Sequence, residues 1–219
     1  MSSATPHRPR AGRPPRISRR EILDAALRII ERDGMESLTM RRLAKDVGST
    51  PMALYHHVQD KEELLLLLLD DYAGQLPRPV LPEEPRERLV AAAQAMHDSL
   101  AGCPWIVEVL TADDLLSASA LWFPENIVDS AVKCGLTPEQ GVHAYRAIWY
   151  YTAGEIIIRA AAARRRDADR PTYRDQVFAD LDPQALPRLA SLGGRWNALT
   201  AEDTYRQGLI ALVNGLLGP

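Results

Sequence analysis

The sequence predicts an all-α protein in two helical parts, and three observations predict it. Ser or Thr followed three residues later by Glu or Gln recurs ahead of apolar residues spaced i, i+3, i+4, i+7, the mark of capped amphipathic helices. No run of alternating β-branched residues between turn signals is found in the 219 residues. Pro77, Pro79, Pro82 and Pro85 break the helical pattern, and the balance of charge changes along the chain. Residues 1–61 hold 12 Lys and Arg against 7 Asp and Glu, while residues 62–219 hold 14 against 22. That asymmetry suits a first part meeting a polyanion and a second part with another task.

Taken in order, residues 1–17 combine four Pro, one Gly and four Arg with almost nothing to bury, and read as a disordered basic arm. Ser18 and Glu21 form a capping box for a first helix whose stripe is Ile22, Ala25, Ala26 and Ile29, ended by Gly34. Thr39 caps a second helix running through Leu43 and Val47 to Gly48. Thr50 and Pro51 open a third, over about 50–57, with Leu54 and Val58 inward. Asp60 caps a fourth with Glu63 at its third position, reaching about Gln75. After the prolines, helices are expected over 85–101, 105–111 and 115–133, the last kinked or divided at Pro124. Thr137-Pro138-Glu139-Gln140 starts a long helix, apolar nearly all round and so buried on more than one side. Residues 167–186 read as a surface loop, followed by a short piece near Leu189. Thr200 to Asp203 reads as the cap of a final helix carrying Tyr205, Leu209, Leu212, Val213 and Leu216.

Several function classes are excluded as expectations. Cys103 and Cys134 lie far from any CxxC or Cys/His pairing, so neither a disulfide framework nor a zinc site is expected. No segment reaches the roughly 18 apolar residues of a membrane span, and the N-terminus lacks an apolar signal core. The six leucines at 64–69 are bracketed by acidic pairs and form helix sides, not an anchor. His56 and His57 point about 100° apart on a helix, with no third ligand at i+4, so no metal is expected there. His97 and His143 are lone histidines on apolar helices and read as satisfied core residues. No Ser, Cys or paired carboxylate accompanies them at catalytic spacing, so no enzyme and no cofactor is expected.

The second and third helices meet at Gly48 with about three residues between them, and small Ala44 falls four before that glycine. With apolar Leu43, Val47 and Leu54, this is the spacing of a helix-turn-helix, whose second helix enters the DNA major groove. The surface left on the third helix is Thr50, Pro51, Met52, Ala53, Tyr55, His56 and His57, with no Glu, Asp or Lys. Hydroxyls and imidazoles donate to phosphate, and Met or Ala methyls meet thymine methyls.

The stretch from Ser18 to about Tyr72, above all "LTMRRLAKDVGSTPMALYHHVQDKEELL", resembles the DNA-binding domain of the TetR family of bacterial transcriptional regulators. "ALYHHV" followed by "KEELL" is similar to its tetracycline-repressor branch. Later, "GLTPEQGVHAYRAIWYYTAGEI" and "TYRQGLIALVNGLL" resemble the two long helices that pair with their mates in that family's four-helix dimer interface. The resemblance implies phosphate contacts from Thr39, Arg41, Tyr55, His57 and Lys61. It implies base-edge contacts from Arg41, Pro51, Met52, Ala53 and His56, with Met40 nearby. His56 stands where that branch has another aromatic residue, and Pro51 and Met52 replace its polar groove-facing residues, so a different operator is implied. The drug-gripping residues of the branch do not align here, and neither tetracycline nor magnesium is carried over.

The organisation expected is therefore an arm over 1–17, an N-terminal helix-turn-helix DNA-binding domain over 18–76, and a larger helical effector-binding and dimerisation domain over 77–219. The function expected is that of a cytoplasmic homodimeric repressor released from a palindromic operator by a small molecule. Regulation without an effector and non-specific DNA binding are the alternatives. In the arm, "RAGRPPR" resembles the Gly-Arg-Pro core of minor-groove hooks; Arg13 and Arg16 either enter that groove or add only non-specific attraction. For the effector, Trp105, Trp122, Phe123, Asn126, His143 and Trp149 are the candidates, Tyr150 and Glu155 less so, against the alternative that they are core and interface residues.

Overall fold

A computed structural model describes residues 17–112, 115–165 and 172–218 of the chain. The arm, with Arg13 and Arg16, lies outside the described residues. All regular structure among the described residues is helical. The chain divides into two compact units, one ending at Leu68 and the other beginning at Leu69.

In the first unit, α1 (Arg19–Asp33) starts on the capping box that the sequence announces. Ser18 Oγ accepts from the Glu21 N–H at 3.2 Å, and Glu21 accepts from the Ser18 N–H at 2.7 Å. Those bonds hold the Glu21 carboxyl below its usual range. One face of α1 buries Ile22, Ala25, Ala26 and Ile29. Gly34 turns the chain at φ +83° into a 3-10 turn, Met35–Ser37. Thr39 caps α2 (Met40–Asp46), accepting from the Arg42 N–H at 3.2 Å. Gly48, at φ +65°, reverses the chain, and Thr50 caps α3 (Pro51–Leu54) with Pro51 in its first turn.

The third helix is shorter than the expected 50–57. Its α-helical part is one turn, and residues 55–57 continue as a hydrogen-bonded turn in which the His57 and Val58 N–H groups both donate to the Leu54 carbonyl. Leu43, Ala44, Leu54 and Val58 are fully buried beneath it. Then α4 (Lys61–Gln75) begins where Asp60 accepts from the Glu63 N–H at 2.8 Å. Of its six leucines, Leu64, Leu65, Leu68 and Leu69 are buried and the other two half-buried.

In the second unit, α5 (Pro85–Ala101), α7 (Trp122–Lys133) and α8 (Pro138–Arg165) pack on one another, with α6 (Pro104–Ala112) against α8. Pro124 does not kink α7: it lies in the first turn, where a missing N–H costs no intrahelical bond. A 3-10 turn, Ala118–Leu121, precedes that helix. Thr137 and Gln140 cap α8 reciprocally as expected. Beyond the undescribed residues 166–171, part of the expected loop is helical. Thr172 and Asp175 form a capping box for α9 (Tyr173–Ala179). It is followed by α10 (Pro187–Leu192), α11 (Trp196–Ala201) and α12 (Tyr205–Leu217). Thr200 is not the cap of the last helix. It lies inside α11, donating to the Trp196 carbonyl at 3.0 Å, and Asp203 instead accepts from the Tyr205 N–H.

α12 packs on α8 and α5 through Tyr205, Leu209 and Val213. Buried His97 stacks on the Tyr205 ring at 3.7 Å, with Nδ1 3.1 Å from Asp98 and Nε2 3.0 Å from Glu155. Its ring is thus fully engaged within the core. The Tyr205 hydroxyl meets Thr152 Oγ1 at 2.7 Å, and the Tyr151 hydroxyl donates to the Tyr205 carbonyl. Gly208 lets Tyr151 cross this closely: a Cβ there would collide with the Tyr151 ring and hydroxyl. Gly208→Ala is expected to cost about 1–3 kcal/mol in urea unfolding, whereas Gly215→Ala, in open space on the same helix, gains about 0.5–1 kcal/mol. Equal effects of the two would show that the crossing tolerates the methyl.

Candidate nucleic-acid interface and effector cavity

Two capped helix starts set the surface that carries the expected DNA contacts. Thr39 and Thr50 each spend a hydroxyl lone pair on a cap, which leaves each O–H free to donate outward. Both residues are exposed, as are Arg41, Pro51, Met52, Tyr55, His56 and Lys61; Met40, Ala53 and His57 are half-buried. Met52, at 71% exposed, is a thioether with no partner in its own unit large enough to cover it.

Charge on this unit is sorted by position. Arg42 is tied to Asp33, Arg28 to Asp46 at 3.4 Å, and Arg20 to Asp24 at 2.9 Å. Arg32 and Arg42 hold the Asp33 carboxyl below its ordinary range. Asp60 is committed to capping α4. Arg41 and Lys61, by contrast, form no ion pair with any described residue, and Lys45, one turn beyond Arg41 on α2, is also unpaired. Lys45 was absent from the sequence-based set; only its i+4 spacing from Arg41 could have pointed to it. Asp33 and Asp46 are thus paired with arginines of the same unit, while Arg41, Lys45 and Lys61 stay exposed and available to phosphate.

The second unit holds a cavity of about 290 Å³. Leu69, Tyr72 and Leu76 of α4, Met96, Ser99 and Leu100 of α5, the segment 115–117, Phe123 of α7, and Tyr145 and Trp149 of α8 form its walls. Burial pushes the phenols of Tyr72 and Tyr145 up, so both stay protonated at neutral pH. Tyr72 donates to the Ser99 carbonyl, and Ser117 to the Asp70 carboxylate.

Of the six residues singled out for an effector, Phe123 and Trp149 border this cavity and the other four do not. Trp105 is buried in the core, and Trp122 lines a shallow surface depression with Arg78 and Glu125. Asn126 is held between Arg88, which donates to it at 2.7 Å, and the Trp122 carbonyl at 2.8 Å. His143 is exposed. Tyr150 is exposed too, and Glu155 is engaged by His97 and Arg159. Among the described residues, no group of three or more His, Cys, Asp or Glu side chains could hold a metal ion, and no helix is long and apolar enough to cross a membrane.

Comparison with known proteins accords with both units. Residues 22–68 match the model of bacterial regulatory proteins of the tetR family, and residues 78–218 match the tetracycline-repressor-like C-terminal domain. The chain is 30% identical over 210 residues to the HTH-type transcriptional repressor DrrR1 of Streptomyces coeruleorubidus, covering 92% of this chain and 75% of that protein. In fold it is similar to ActR of Streptomyces coelicolor in complex with actinorhodin, with TM-score 0.74, 21% identity, and coverage of 92% and 95%. It is also similar to BioQ with its double-stranded DNA operator, with TM-score 0.63, 23% identity, and coverage of 92% and 98%. The capped turn, the outward cations and the two matched domains agree: the chain is a transcriptional regulator, not an enzyme, and belongs to the TetR family.

Proposed function

We propose that the chain is a homodimeric repressor that holds a pseudo-palindromic operator through residues 18–76 and is released by a small molecule bound within residues 77–219. The observation that carries the DNA half of this reading is the surface of α2, α3 and the start of α4, where Arg41 and Lys61 are unpaired and no exposed acid stands among residues 50–57. Thr39, Arg41, Tyr55, His57 and Lys61 take phosphates; Arg41, Pro51, Met52, Ala53 and His56 face base edges, flanked by Met40 and Thr50. A repressor among the relatives supports the direction of control, and a neighbour of the same fold in complex with a small molecule supports the effector.

Dimerisation is supported by what one chain leaves uncovered. Val142, Tyr150, Ile157 and Ile158 of α8 and Ile210 of α12 are exposed apolar side chains, although α8 reads as a helix buried on more than one side. A two-fold copy would cover them and set two reading surfaces in successive major grooves. An effector releases DNA only if it binds the released conformation better than the bound one. The cell interior, where the operator lies, is the corresponding location.

Footprinting of the purified chain on DNA upstream of its own and adjacent operons should reveal a protected palindrome. Absence of sequence preference at about 150 mM salt would sink the proposal. Within such a site, His56→Ala is expected to relax preference at one base pair per half-site, losing about 1 kcal/mol or more of discrimination there. Weakening of all sites alike would instead assign His56 to filling the groove.

A further inference from the structure

The 290 Å³ cavity has a one-sided chemistry. No Asp, Glu, Lys, Arg or His side chain is among the described residues lining it. Three of its hydroxyls are already engaged as donors: Tyr72 to the Ser99 carbonyl, Ser99 to the Ala95 carbonyl and Ser117 to Asp70. Two donors are left over. The Tyr145 hydroxyl and the Trp149 indole N–H donate to no described residue, and the two stand four residues apart on one face of α8. Both residues are half-buried and neither donor is sealed from solvent, so a guest that displaces the water there must supply an acceptor in its place. An ionised guest would lose its hydration with no countercharge to meet it. The remaining wall is aliphatic or aromatic, and its volume is at the low end of the roughly 300–1,000 Å³ usual for small-molecule sites.

We infer that this cavity selects an uncharged, compact, apolar molecule bearing a carbonyl-type oxygen, with Tyr145 and Trp149 as the donors that recognise that oxygen. The inference rests on the cavity being the effector site proposed above. It assigns Tyr145, which the sequence did not single out, as a specificity-determining residue.

Three matched probes test it on the full chain, read by quenching of tryptophan fluorescence and by calorimetry: 9-fluorenone, fluorene, and 9-oxofluorene-2-carboxylate at pH 8. The ketone is expected to bind about tenfold tighter than the hydrocarbon, one or two hydrogen bonds' worth. The carboxylate should bind at least about 30-fold weaker than the ketone. Tyr145→Phe should cut the ketone-over-hydrocarbon ratio to about twofold with fluorene affinity unchanged, which also reports that the cavity is still folded. Comparable binding of ketone and carboxylate, an unaltered ratio in Tyr145→Phe, or no binding of either neutral probe overturns the inference. Operator affinity measured in parallel by anisotropy separates the two claims. The expected ratios without DNA release leave the cavity's preference standing and remove its effector role. Release of DNA by charged compounds without those ratios does the reverse.

Discussion

Met52→Glu is expected to abolish specific operator binding, weakening it at least about 100-fold near 150 mM salt. Met52 is 71% exposed on the α3 turn, with no hydrogen bond or ion pair in its own unit. A carboxylate there would be forced against phosphates and base-edge acceptors, and would lose its own hydration on docking. Because the site is exposed, stability should change by no more than about 0.5 kcal/mol, a shift of about 1–2 °C in the unfolding midpoint. Lys61→Ala provides the scale: loss of one phosphate contact should weaken all sequences similarly and lower the salt slope by about one. If Met52→Glu bound its operator within a few-fold of the parent, the α3 surface would not be the one that meets DNA.

Tyr205→Ala should be the most damaging single truncation in the second unit, costing about 3–5 kcal/mol. The ring is only 2% exposed, stacks on both His97 and Tyr151, and its hydroxyl serves Thr152. Removing it opens a void at the crossing of α5, α8 and α12 and strips the buried Thr152 hydroxyl of its partner. Tyr205→Phe keeps the stack and loses only the hydroxyl bond, so about 1–2 kcal/mol is expected. Urea unfolding at one fixed protein concentration compares the two variants with any contribution from self-association held equal. A Phe variant as unstable as the Ala variant would show that the hydroxyl, not the packed ring, holds the helices.

What could be read from the chain alone was what local chemistry decides. Ser18, Thr39, Thr50, Asp60 and Thr137 each sit just ahead of an apolar period and each caps a helix. Local chemistry also misled where two caps compete. Thr200 precedes Glu202 and Asp203 and looks like a helix start, yet Asp203 takes the cap and Thr200 falls within the preceding helix. The box at Thr172 was missed because the seven-residue α9 behind it is too short to show an apolar period. The cavity was legible only at Phe123 and Trp149. Its remaining walls are ordinary Leu, Ile, Met, Ala, Pro, Ser and Tyr residues from α4 to α8 and the segment 115–120, and only tertiary packing makes them neighbours. Conversely, Trp122 and His143 drew notice as residue types, but their helices turn them to the surface. Which cations are free was equally invisible, since Arg41 and Arg42 are adjacent in sequence and only one meets Asp33.

The single α-helical turn of α3 has a consequence for transplantation. One turn is far below the length at which a helix persists alone, because nucleation costs more than a turn returns. The segment 50–57 keeps its shape only because Leu54 and Val58 are seated against the rest of the first unit and Gly48 and Thr50 fix its entry. If segment 50–57 reads the operator as proposed, specificity is not a portable octapeptide. Grafted into a foreign loop, those eight residues would carry their letters without their geometry, whereas a chimera exchanged from α1 through the start of α4 would carry both.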